Sequence, residues 1–304
     1  MMKDNVLFVG HGDLMLDKIY DHNHNIIREE GGGCNWNVLY NLAYSGEKCY
    51  AIGGIGNDED GNKTLESLNK VGINTEYVIR EAKGTNVMNI IIPDSKNIGD
   101  NDVVHTWYSP ITNKLTINFS NKLPSTIPEE LKDKQLYIIL DRVRKVNLNF
   151  INNIEHKKVC LDVGHIRYIR HFDGDYLKKF LLKANLLLLN MHTSKMLYNK
   201  LGIEDEVELF NILKLDLLVI TNGKNKSTFM FRKNKEVEII HKQPKLVREV
   251  VDTSGAGDAF FASIIKHYAY NGKVNSEFID KVFEEADLKA RETLKFIGSR
   301  REKK

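Results

Sequence analysis

Short apolar segments alternate with segments of helical period along most of the chain, and this alternation predicts the fold class. Six nearly continuous apolar segments are typical of strands buried on both faces: residues 5–10, 48–56, 136–141, 157–163, 185–190 and 216–223. Four segments between them carry apolar residues at helical spacing: residues 35–45, 60–72, 175–184 and 204–214. This order predicts an α/β fold around a mostly parallel sheet.

Two stretches depart from this alternation and predict a small second sheet. Residues 14–30 contain two short apolar runs around a turn rich in Asp and Asn, which is typical of a hairpin. Residues 85–119 add β-branched and aromatic runs separated by turn residues. A small sheet inserted in two pieces, at about 14–31 and 85–119, predicts a lid that closes over a ligand. The alternative is that these segments only extend the edge of the main sheet. In both cases they belong to one predicted domain, residues 1–304.

The amino-acid composition limits the class of binding partner that we expect. Of 304 residues, 42% are hydrophobic and 28% are charged, as in a globular protein. The 44 Lys and Arg nearly balance the 41 Asp and Glu, and the net charge is only +3. Such a balance does not favour nucleic acid or an anionic membrane surface. We therefore expect a small-molecule partner.

The cysteines and the apolar runs predict a cytoplasmic protein. Cys34, Cys49 and Cys160 are too widely spaced for a metal knuckle, and three cysteines suit no disulfide framework. No run reaches the ~20 apolar residues of a membrane span, and the N-terminal apolar stretch is too short for a secretion signal. The basic tail 299–304 is expected to be a solvated terminus.

Two glycine-rich segments resemble nucleotide-binding loops only in part. Residues 10–12 follow the first predicted strand as a dinucleotide fingerprint would, but Met15 stands where the third glycine is needed. A Rossmann oxidoreductase is therefore not favoured. Residues 56–64 resemble a P-loop, but Asn62 separates the glycine from the lysine and would misdirect the ammonium group. This segment is predicted to be a loop and a helix start.

A third glycine-rich segment, residues 252–260, precedes an apolar helical stretch and predicts chemistry. Gly255 and Gly257 let the backbone turn sharply, and the amides of Ala256, Gly257 and Asp258 would meet a phosphate at the positive end of a helix. A plain capping turn is the alternative. A carboxylate would repel the phosphate but could accept a hydroxyl proton, so Asp258 beside this anion site predicts phosphoryl transfer to an alcohol.

The sequence resembles the ribokinase-like (PfkB-type) carbohydrate kinase family at two distant places. Residues 252–258 match its C-terminal signature DTxGAGD, and Gly32, Gly33 and Asn37 match its N-terminal signature. The resemblance spans essentially the whole chain. It implies a ribokinase-like three-layer α/β/α fold, with a mostly parallel central sheet and a small β-sheet lid. It also implies ATP-dependent phosphorylation of a hydroxyl group on a sugar or sugar-like molecule, with ATP and Mg²⁺ as cofactors.

The same resemblance implies roles for individual residues. Asp258 is the expected catalytic base, and the amides of Gly255, Ala256, Gly257 and Asp258 stabilise the charge on the transferred phosphoryl group. The expected substrate-binding residues are Asp17, Gly32, Gly33 and Asn37. The expected nucleotide-binding residues are Asn190, Thr221, Gly223, Lys224 and Thr253.

The sequence also departs from the family pattern. Thr193 replaces the glutamate of the NxxE element that begins at Asn190, so no metal ligand is assigned. Lys226 replaces the second glycine of TxGxxG. Lys224 and Lys226 would bring positive charge to the nucleotide phosphates, or they are solvated surface lysines. Residues 162–167 match the family's DxNxR region only loosely, and no role is transferred there.

Alternatives remain open for the roles of single residues and for the function of the protein. Asp17 could face water at a strand end, and Asn37 could bond the local backbone. A catalytically weak or inactive regulator on the same fold is the alternative function, which Thr193 favours and the retained Asp258 disfavours.

The acceptor molecule is also open. Three arginines, Arg28, Arg142 and Arg144, could bind a substrate phosphate, or they are ordinary surface charges. Cys34 and Trp36 suggest a narrowed or ring-stacking site, although Trp36 could instead pack into the core. Relatives in the family often pair through the lid, so a homodimer is a further expectation.

Overall fold

The computed structural model describes residues 5–81, 83–94, 103–120, 122–155, 157–163, 169–271 and 273–301. Thirteen strands are formed by these residues: β1 (Val6–Asp13), β2 (Met15–Tyr20), β3 (Ile26–Gly32), β4 (Cys49–Gly56), β5 (Val78–Glu81), β6 (Asn86–Ile91), β7 (Val104–Thr106), β8 (Gln135–Leu140), β9 (Lys157–Asp162), β10 (Leu186–Asn190), β11 (Leu217–Thr221), β12 (Ser227–Lys233) and β13 (Glu236–Lys242). The α-helices of the same residues are α1 (Cys34–Tyr44), α2 (Glu59–Asn69), α3 (Lys145–Asn152), α4 (Gly174–Leu181), α5 (Met191–Leu201), α6 (Glu206–Leu213), α7 (Ala256–Asn271) and α8 (Ser276–Thr293).

Nine strands form the main sheet, in the order β13-β12-β11-β10-β9-β8-β1-β4-β5. The pairs from β11 to β5 are parallel, and the β11–β12 and β12–β13 pairs are antiparallel. All six predicted core strands lie in the parallel part, and the mostly parallel α/β sheet is confirmed. Continuous apolar strands fit this position because helices cover both faces of the sheet.

Successive side chains of β1 point to opposite faces and enter two separate cores. Phe8 packs with residues of α1, α7 and α8, whereas Leu7 and Val9 pack with residues of α3, α4, α5 and α6. This alternation follows from the two-residue period of a strand. The molecule therefore has the predicted three layers, helix, sheet and helix.

The second predicted sheet is present and contains β2, β3, β6 and β7, which we call the lid sheet. Its order is β3-β2-β6-β7, with β2 parallel to β6 and the other two pairs antiparallel. Ile19, Met88 and Ile90 form a small apolar cluster of their own on it. The expected turn at 95–101 lies outside the described residues. Its function as a closing lid stays a prediction.

The topology places several polar side chains at one edge of the main sheet. Parallel strands end at the same edge, and sites in α/β proteins form at their carboxyl ends. Asp13 ends β1, Asp162 ends β9 and Asn190 ends β10, while Asp141 follows β8. The lid sheet continues directly from β1, so it starts at this same edge. In the described part of the chain, no helix has the length and apolarity that crossing a membrane requires.

Candidate active site

The glycine-rich turn before α7 is fixed by a buried carboxylate. Asp252 is fully buried, and its Oδ1 accepts a hydrogen bond from the amide of Ser254 at 2.9 Å. Its Oδ2 accepts one from the amide of Gly298 at 2.8 Å, in the segment that follows α8. Asp252 therefore shapes the turn and joins it to residues 297–301, which we call the closing segment.

The two glycines of this turn have different surroundings. Gly255 has a φ of 75°, and a Cβ added there would lie 2.5 Å from the Cβ of Ser299. Both facts require glycine at this position. A Cβ at Gly257 would meet no other atom within 4 Å. Open space beside the first turn of a helix is where an anion could approach backbone amides.

Asp258 lies in the first turn of α7, which begins at Ala256. It therefore stands inside the helix and not at the N-cap position before Ala256. Its side chain is buried, with 7% exposure, and its Oδ2 accepts a hydrogen bond from Nδ2 of Asn37 at 2.9 Å. Burial raises its pKa to about 7, and the charge of Asp141 adds to this effect. The Asn37 hydrogen bond and the cation of Arg300 oppose it.

The Asn37 side chain bonds the site and not its own backbone. Its Oδ1 accepts a hydrogen bond from Nε of Arg300 at 3.0 Å, while its Nδ2 reaches Asp258. Arg300 is only 2% exposed, and its Nη1 donates to Oγ of Ser67 at 3.1 Å. Four side chains on separate elements thus form one chain of hydrogen bonds that ends at the Asp258 carboxylate.

The expectation that residues 299–304 form a solvated tail is wrong for Ser299 and Arg300, which are buried. Residues 302–304 lie outside the described residues. Both the amide and the hydroxyl of Ser299 donate to Oε1 of Glu30, at 2.7 and 2.9 Å. These bonds hold the closing segment against β3 of the lid sheet. The basic composition of this tail predicted a solvated terminus. Ser299 and Arg300 can be buried because the lid sheet and the elements around the α7 turn supply hydrogen-bond partners for their polar groups.

Asp17 on β2 is buried, with 5% exposure, so it does not face water. Its Oδ1 has no hydrogen-bond partner among the described residues. Burial and the neighbouring charge of Glu30 raise its pKa to about 8. A side chain at Gly32 would overlap the Asp17 carboxyl group, and Gly33 has a φ of 93° at the start of α1. The two glycines thus leave room for the buried Asp17 carboxyl group beside the backbone of the turn.

Two residues beside this turn have separate functions. Trp36 is buried, its Nε1 donates to the carbonyl of Asp13 at 2.8 Å, and its ring lies against Gly10. It packs into the core, as one of the two interpretations predicts. Cys34 faces Asp258, and burial together with that charge raises the pKa of its thiol well above the usual value. The thiol is therefore a neutral neighbour of the carboxylate.

The three arginines considered for a substrate phosphate have partners within the protein. Nε of Arg28 donates to Glu30 at 2.7 Å, and its Nη1 donates to the carbonyl of Ile297 at 3.1 Å. Arg144 pairs with Asp13. The guanidinium group of Arg142 lies 4.5 Å from the ring centre of Phe119 and 3.6 Å from Asp141.

The residues expected to bind a nucleotide lie at strand ends and turns. Asn190 and Thr221 face each other as the last residues of the paired strands β10 and β11. Asn190 caps α5, because its Oδ1 accepts from the amide of Thr193 at 2.7 Å. Gly223, with a φ of 53°, and Lys224 lie in the loop after β11, and Lys224 is exposed.

Thr253 lies in the turn before α7, and its carbonyl accepts a hydrogen bond from the amide of Ala256 at 3.4 Å. The structure brings Asp258 and Asn37 into direct contact and sets Asp17 within their electrostatic reach. Asn190 and Thr221 lie at the ends of β10 and β11, whereas Thr253 lies in the turn before α7. Sequence reasoning missed Arg300, Glu30 and Asp141.

Comparison with known proteins supports the same fold. The model of the pfkB family carbohydrate kinases matches residues 16–277. An ATP-dependent 6-phosphofructokinase of Thermoanaerobacterium thermosaccharolyticum is 24% identical, over 95% of this chain and 88% of its own length. The solved nucleoside kinase of Methanocaldococcus jannaschii, an archaeal member of the ribokinase family, has a TM-score of 0.72 and 18% identity, and covers 96% of this chain and 93% of its own. An uncharacterized sugar kinase of Pyrococcus horikoshii in complex with ATP has a TM-score of 0.71 and 18% identity, with the same coverage.

These structures confirm the predicted ribokinase-like fold, and the family match includes both the lid sheet and the turn before α7. It extends over most of the chain, from β2 into α8. The expectation drawn from the two signatures is thereby confirmed. The chain belongs to the pfkB family of carbohydrate kinases.

Proposed function

We propose that the protein transfers the terminal phosphoryl group of ATP to a hydroxyl group of a sugar or sugar-like molecule, with Asp258 as the general base. The observation that carries this proposal is a buried carboxylate in the first turn of α7, one residue from the open space beside Gly257. A capping carboxylate alone does not need burial or a partner from α1. The 6-phosphofructokinase and nucleoside kinase named above support a hydroxyl acceptor.

In the proposed reaction, Asp258 accepts the proton of the acceptor hydroxyl as the oxygen forms a bond to the terminal phosphorus. The bond from that phosphorus to the bridging oxygen breaks, and ADP leaves. A pKa of about 7 suits this task, because a base works best when its pKa lies near the working pH. Amides of Gly255, Ala256 and Gly257, with that of Asp258, would stabilise the charge on the transferred group.

Magnesium is expected to reach this site with the nucleotide. The buried carboxyl groups of Asp141 and Asp162 lie at the ends of β8 and β9, and burial, followed by the charges of Asp258 and these two acids, raises the pKa of the Cys34 thiol. Two carboxylates at neighbouring strand ends fit a divalent cation, which such enzymes hold through one or two carboxylates and the substrate phosphates. Asp141 and Asp162 would hold the ion, and it would neutralise charge on the phosphates.

The nucleotide is proposed to lie over the ends of β10 and β11. Asn190, Thr221, Gly223, Lys224 and Thr253 are its proposed contacts. Adjacent strand ends of a parallel sheet are a usual position for nucleotides in α/β proteins. The complex of the Pyrococcus horikoshii sugar kinase with ATP supports ATP as the donor.

The test of this function is ADP formation with ATP, magnesium and a panel of fructose, fructose 6-phosphate, ribose and inosine. We expect at least one acceptor to raise ADP release clearly above the blank without acceptor. The same reaction with Asp258→Asn serves as the control for a contaminating kinase. A panel in which no acceptor exceeds the blank would favour the alternative, a sugar- or nucleotide-binding regulator, and binding of the same compounds could then be measured by calorimetry.

Asp17, with Gly32, Gly33 and Asn37, is proposed to bind the acceptor hydroxyl groups. The unbonded Oδ1 of Asp17 can accept a hydrogen bond from a hydroxyl group. We expect Asp17→Asn to raise the KM for the acceptor by about 10- to 100-fold, the cost of an unsatisfied buried polar group, because the amide places an NH₂ group where the carboxyl group has a second oxygen. The KM for ATP should change little.

The matched control for this variant is Asp21→Asn, in the exposed turn of the same hairpin, where the carboxylate binds only the turn residues Asn23 and Asn25. Initial-rate kinetics with each substrate varied in turn measure both constants. Equal losses for ATP and the acceptor, or a similar loss in the control, would contradict the assigned role.

We further propose that residues 1–304 act as a single kinase domain, with the lid sheet closing over the acceptor to exclude water. Several apolar side chains of the lid region are exposed, including Ile27, Val104, Ile111 and Leu115. Exposed apolar side chains of this kind fit pairing with a second copy of the chain. The homodimer, the cytoplasmic location and the absence of a nucleic acid or membrane partner stay predictions.

A further inference from the structure

The Arg300 guanidinium group is a buried cation with no direct ion pair among the described residues. Its two hydrogen bonds to these residues are with neutral groups: Nε donates to Oδ1 of Asn37 and Nη1 donates to Oγ of Ser67. Its side chain also lies over the ring of Tyr40, 4.9 Å from the ring centre. Burying a cation is costly, and the carboxyl groups of Glu30, Asp17 and Asp258 offset part of this cost electrostatically without a direct ion pair. The position of the guanidinium group among these acids calls for an explanation beyond packing.

Gly31 makes room for this arginine, because a Cβ at that position would overlap Nη1. The closing segment is in turn held by Glu30, which accepts from the amide and hydroxyl of Ser299. Arg28 donates to the backbone carbonyl of Arg300 itself. Backbone and side chain of Arg300 are thus both fixed on the side of the lid sheet that faces α1.

The hydrogen bonds define the orientation of the Asn37 amide. A guanidinium group can only donate, so the Asn37 atom that it meets must be the oxygen. The other end of the same amide is therefore the NH₂ group, which donates to Oδ2 of Asp258. The Cys34 thiol donates to the same carboxyl group, and the hydroxyl proton would go to the oxygen that Asn37 does not hold. A reversed amide would present its oxygen to the carboxylate and repel it.

We propose that Arg300 is a positioning residue for the phosphoryl transfer, and that it acts by fixing the Asn37 amide in the orientation that holds the Asp258 carboxylate ready as a base. This inference rests on the proposed function of Asp258. Ser67 completes this series of hydrogen bonds at its far end, because its Oγ accepts from Nη1 of Arg300.

The charges around Asp258 give this arrangement a measurable consequence. Asp141 and Asp17 are acidic neighbours, Cys34 is a neutral thiol, and Arg300 is the cation that acts on the carboxyl group. Loss of Arg300 removes the attraction of a positive charge and also frees the Asn37 amide to turn. Both changes favour the protonated carboxyl group. The base is then active only at higher pH.

We therefore expect Arg300→Gln to move the acid limb of the pH profile of kcat/KM upward by about one pH unit or more, the usual size of a nearby-charge effect. Rates at pH 6 should fall more than rates at pH 9. Arg300→Lys keeps the positive charge but cannot donate in two fixed directions. Its acid limb should therefore shift less than that of Arg300→Gln, while its turnover should fall at all pH values. The assay uses ATP and whichever acceptor of the panel gives the fastest rate.

The matched control is Arg301→Gln. Arg301 is the next residue of the closing segment, but its guanidinium group pairs with Glu292 on α8. This variant should keep the profile of the unaltered protein. A loss of kcat/KM in Arg300→Gln that is equal at every pH would overturn the inference, as would the same shift in the control.

Two further measurements separate this inference from the proposed function. If Asp258→Asn retains turnover, the proposed function itself fails. If Asp258→Asn loses turnover while Arg300→Gln keeps the original profile, only the inference fails. The carboxyl ¹³C resonance of Asp258, assigned by its absence in Asp258→Asn, reports the same titration without any acceptor. An unchanged titration midpoint in Arg300→Gln would contradict the proposed positioning.

Discussion

Replacing Asp258 with asparagine should lower turnover by about 10²- to 10⁴-fold, which is the usual value of general-base catalysis. Asparagine has nearly the same shape and can still accept the hydrogen bond from Asn37, but it cannot take the hydroxyl proton. We therefore expect the KM for ATP and for the acceptor to change little. Initial-rate kinetics at saturating ATP, with the acceptor varied, measure this loss.

Asp280→Asn is the matched control, since Asp280 is an exposed carboxylate on α8 that pairs with Lys242. It should keep full activity. An Asp258→Asn protein that is folded and retains the turnover of this control would contradict the assignment of the base.

The same variant has a predicted effect on stability, with a defined pH dependence. The folded protein holds a proton on Asp258 up to a pKa of about 7, whereas the ordinary pKa of an aspartic acid side chain is 3.8. Between these values only the unfolded chain releases that proton, so this group's contribution to stability is lost as the pH rises through the window. Asparagine removes the effect. Thermal unfolding should show a gain for Asp258→Asn over the original protein that is larger at pH 8 than at pH 4.

The two glycines of the α7 turn should respond in opposite ways to alanine. Gly257→Ala fills open space and replaces glycine inside a helix, so its stability should be retained or rise by up to about 1 kcal/mol. Its activity should fall by about 10²-fold or more, because the new methyl group occupies the space proposed for the phosphoryl oxygens. Gly255→Ala should instead lose about 1–3 kcal/mol of stability, since φ is 75° and Ser299 blocks the added methyl group.

Chemical denaturation and initial-rate kinetics on both variants separate these outcomes. Each glycine serves as the control for the other, because the substitutions are the same and stand two residues apart. Full activity in a stable Gly257→Ala protein would show that no substrate group enters the space beside this residue. That result would not affect the description of the fold, but it would contradict the proposed binding of the phosphoryl group by the amides of residues 255–258.

The parallel strands of the fold could be predicted because each carries its own signal. Residues such as Leu186–Asn190 are apolar on both faces, and this local pattern is sufficient to identify a buried strand. The short strand β5 and the exposed hairpin strand β13 were harder to predict, since partly exposed residues lack that continuity. The amphipathic pattern of α8 was available in the sequence and would have predicted that helix.

Part of the site could also be predicted. Asp258 and Gly257 stand within one short motif, and Asp17 and Asn37 could be placed through the family resemblance. Arg300 could not, because its surroundings are set by partners more than 200 residues away in the sequence, which no local pattern records. Its neighbour Gly298, which has a φ of 88° and bonds Asp252, was the available signal for a buried turn.

The bond between Asn37 and Arg300 spans 263 positions of the chain. During synthesis, therefore, the N-terminal half of the site exists long before its last component has been made. Contacts of such sequence separation form late, because the intervening chain must first be brought together at an entropic cost. We expect nascent chains that stop short of residue 300 to acquire much of the parallel sheet while the pocket around Asn37 stays unfinished.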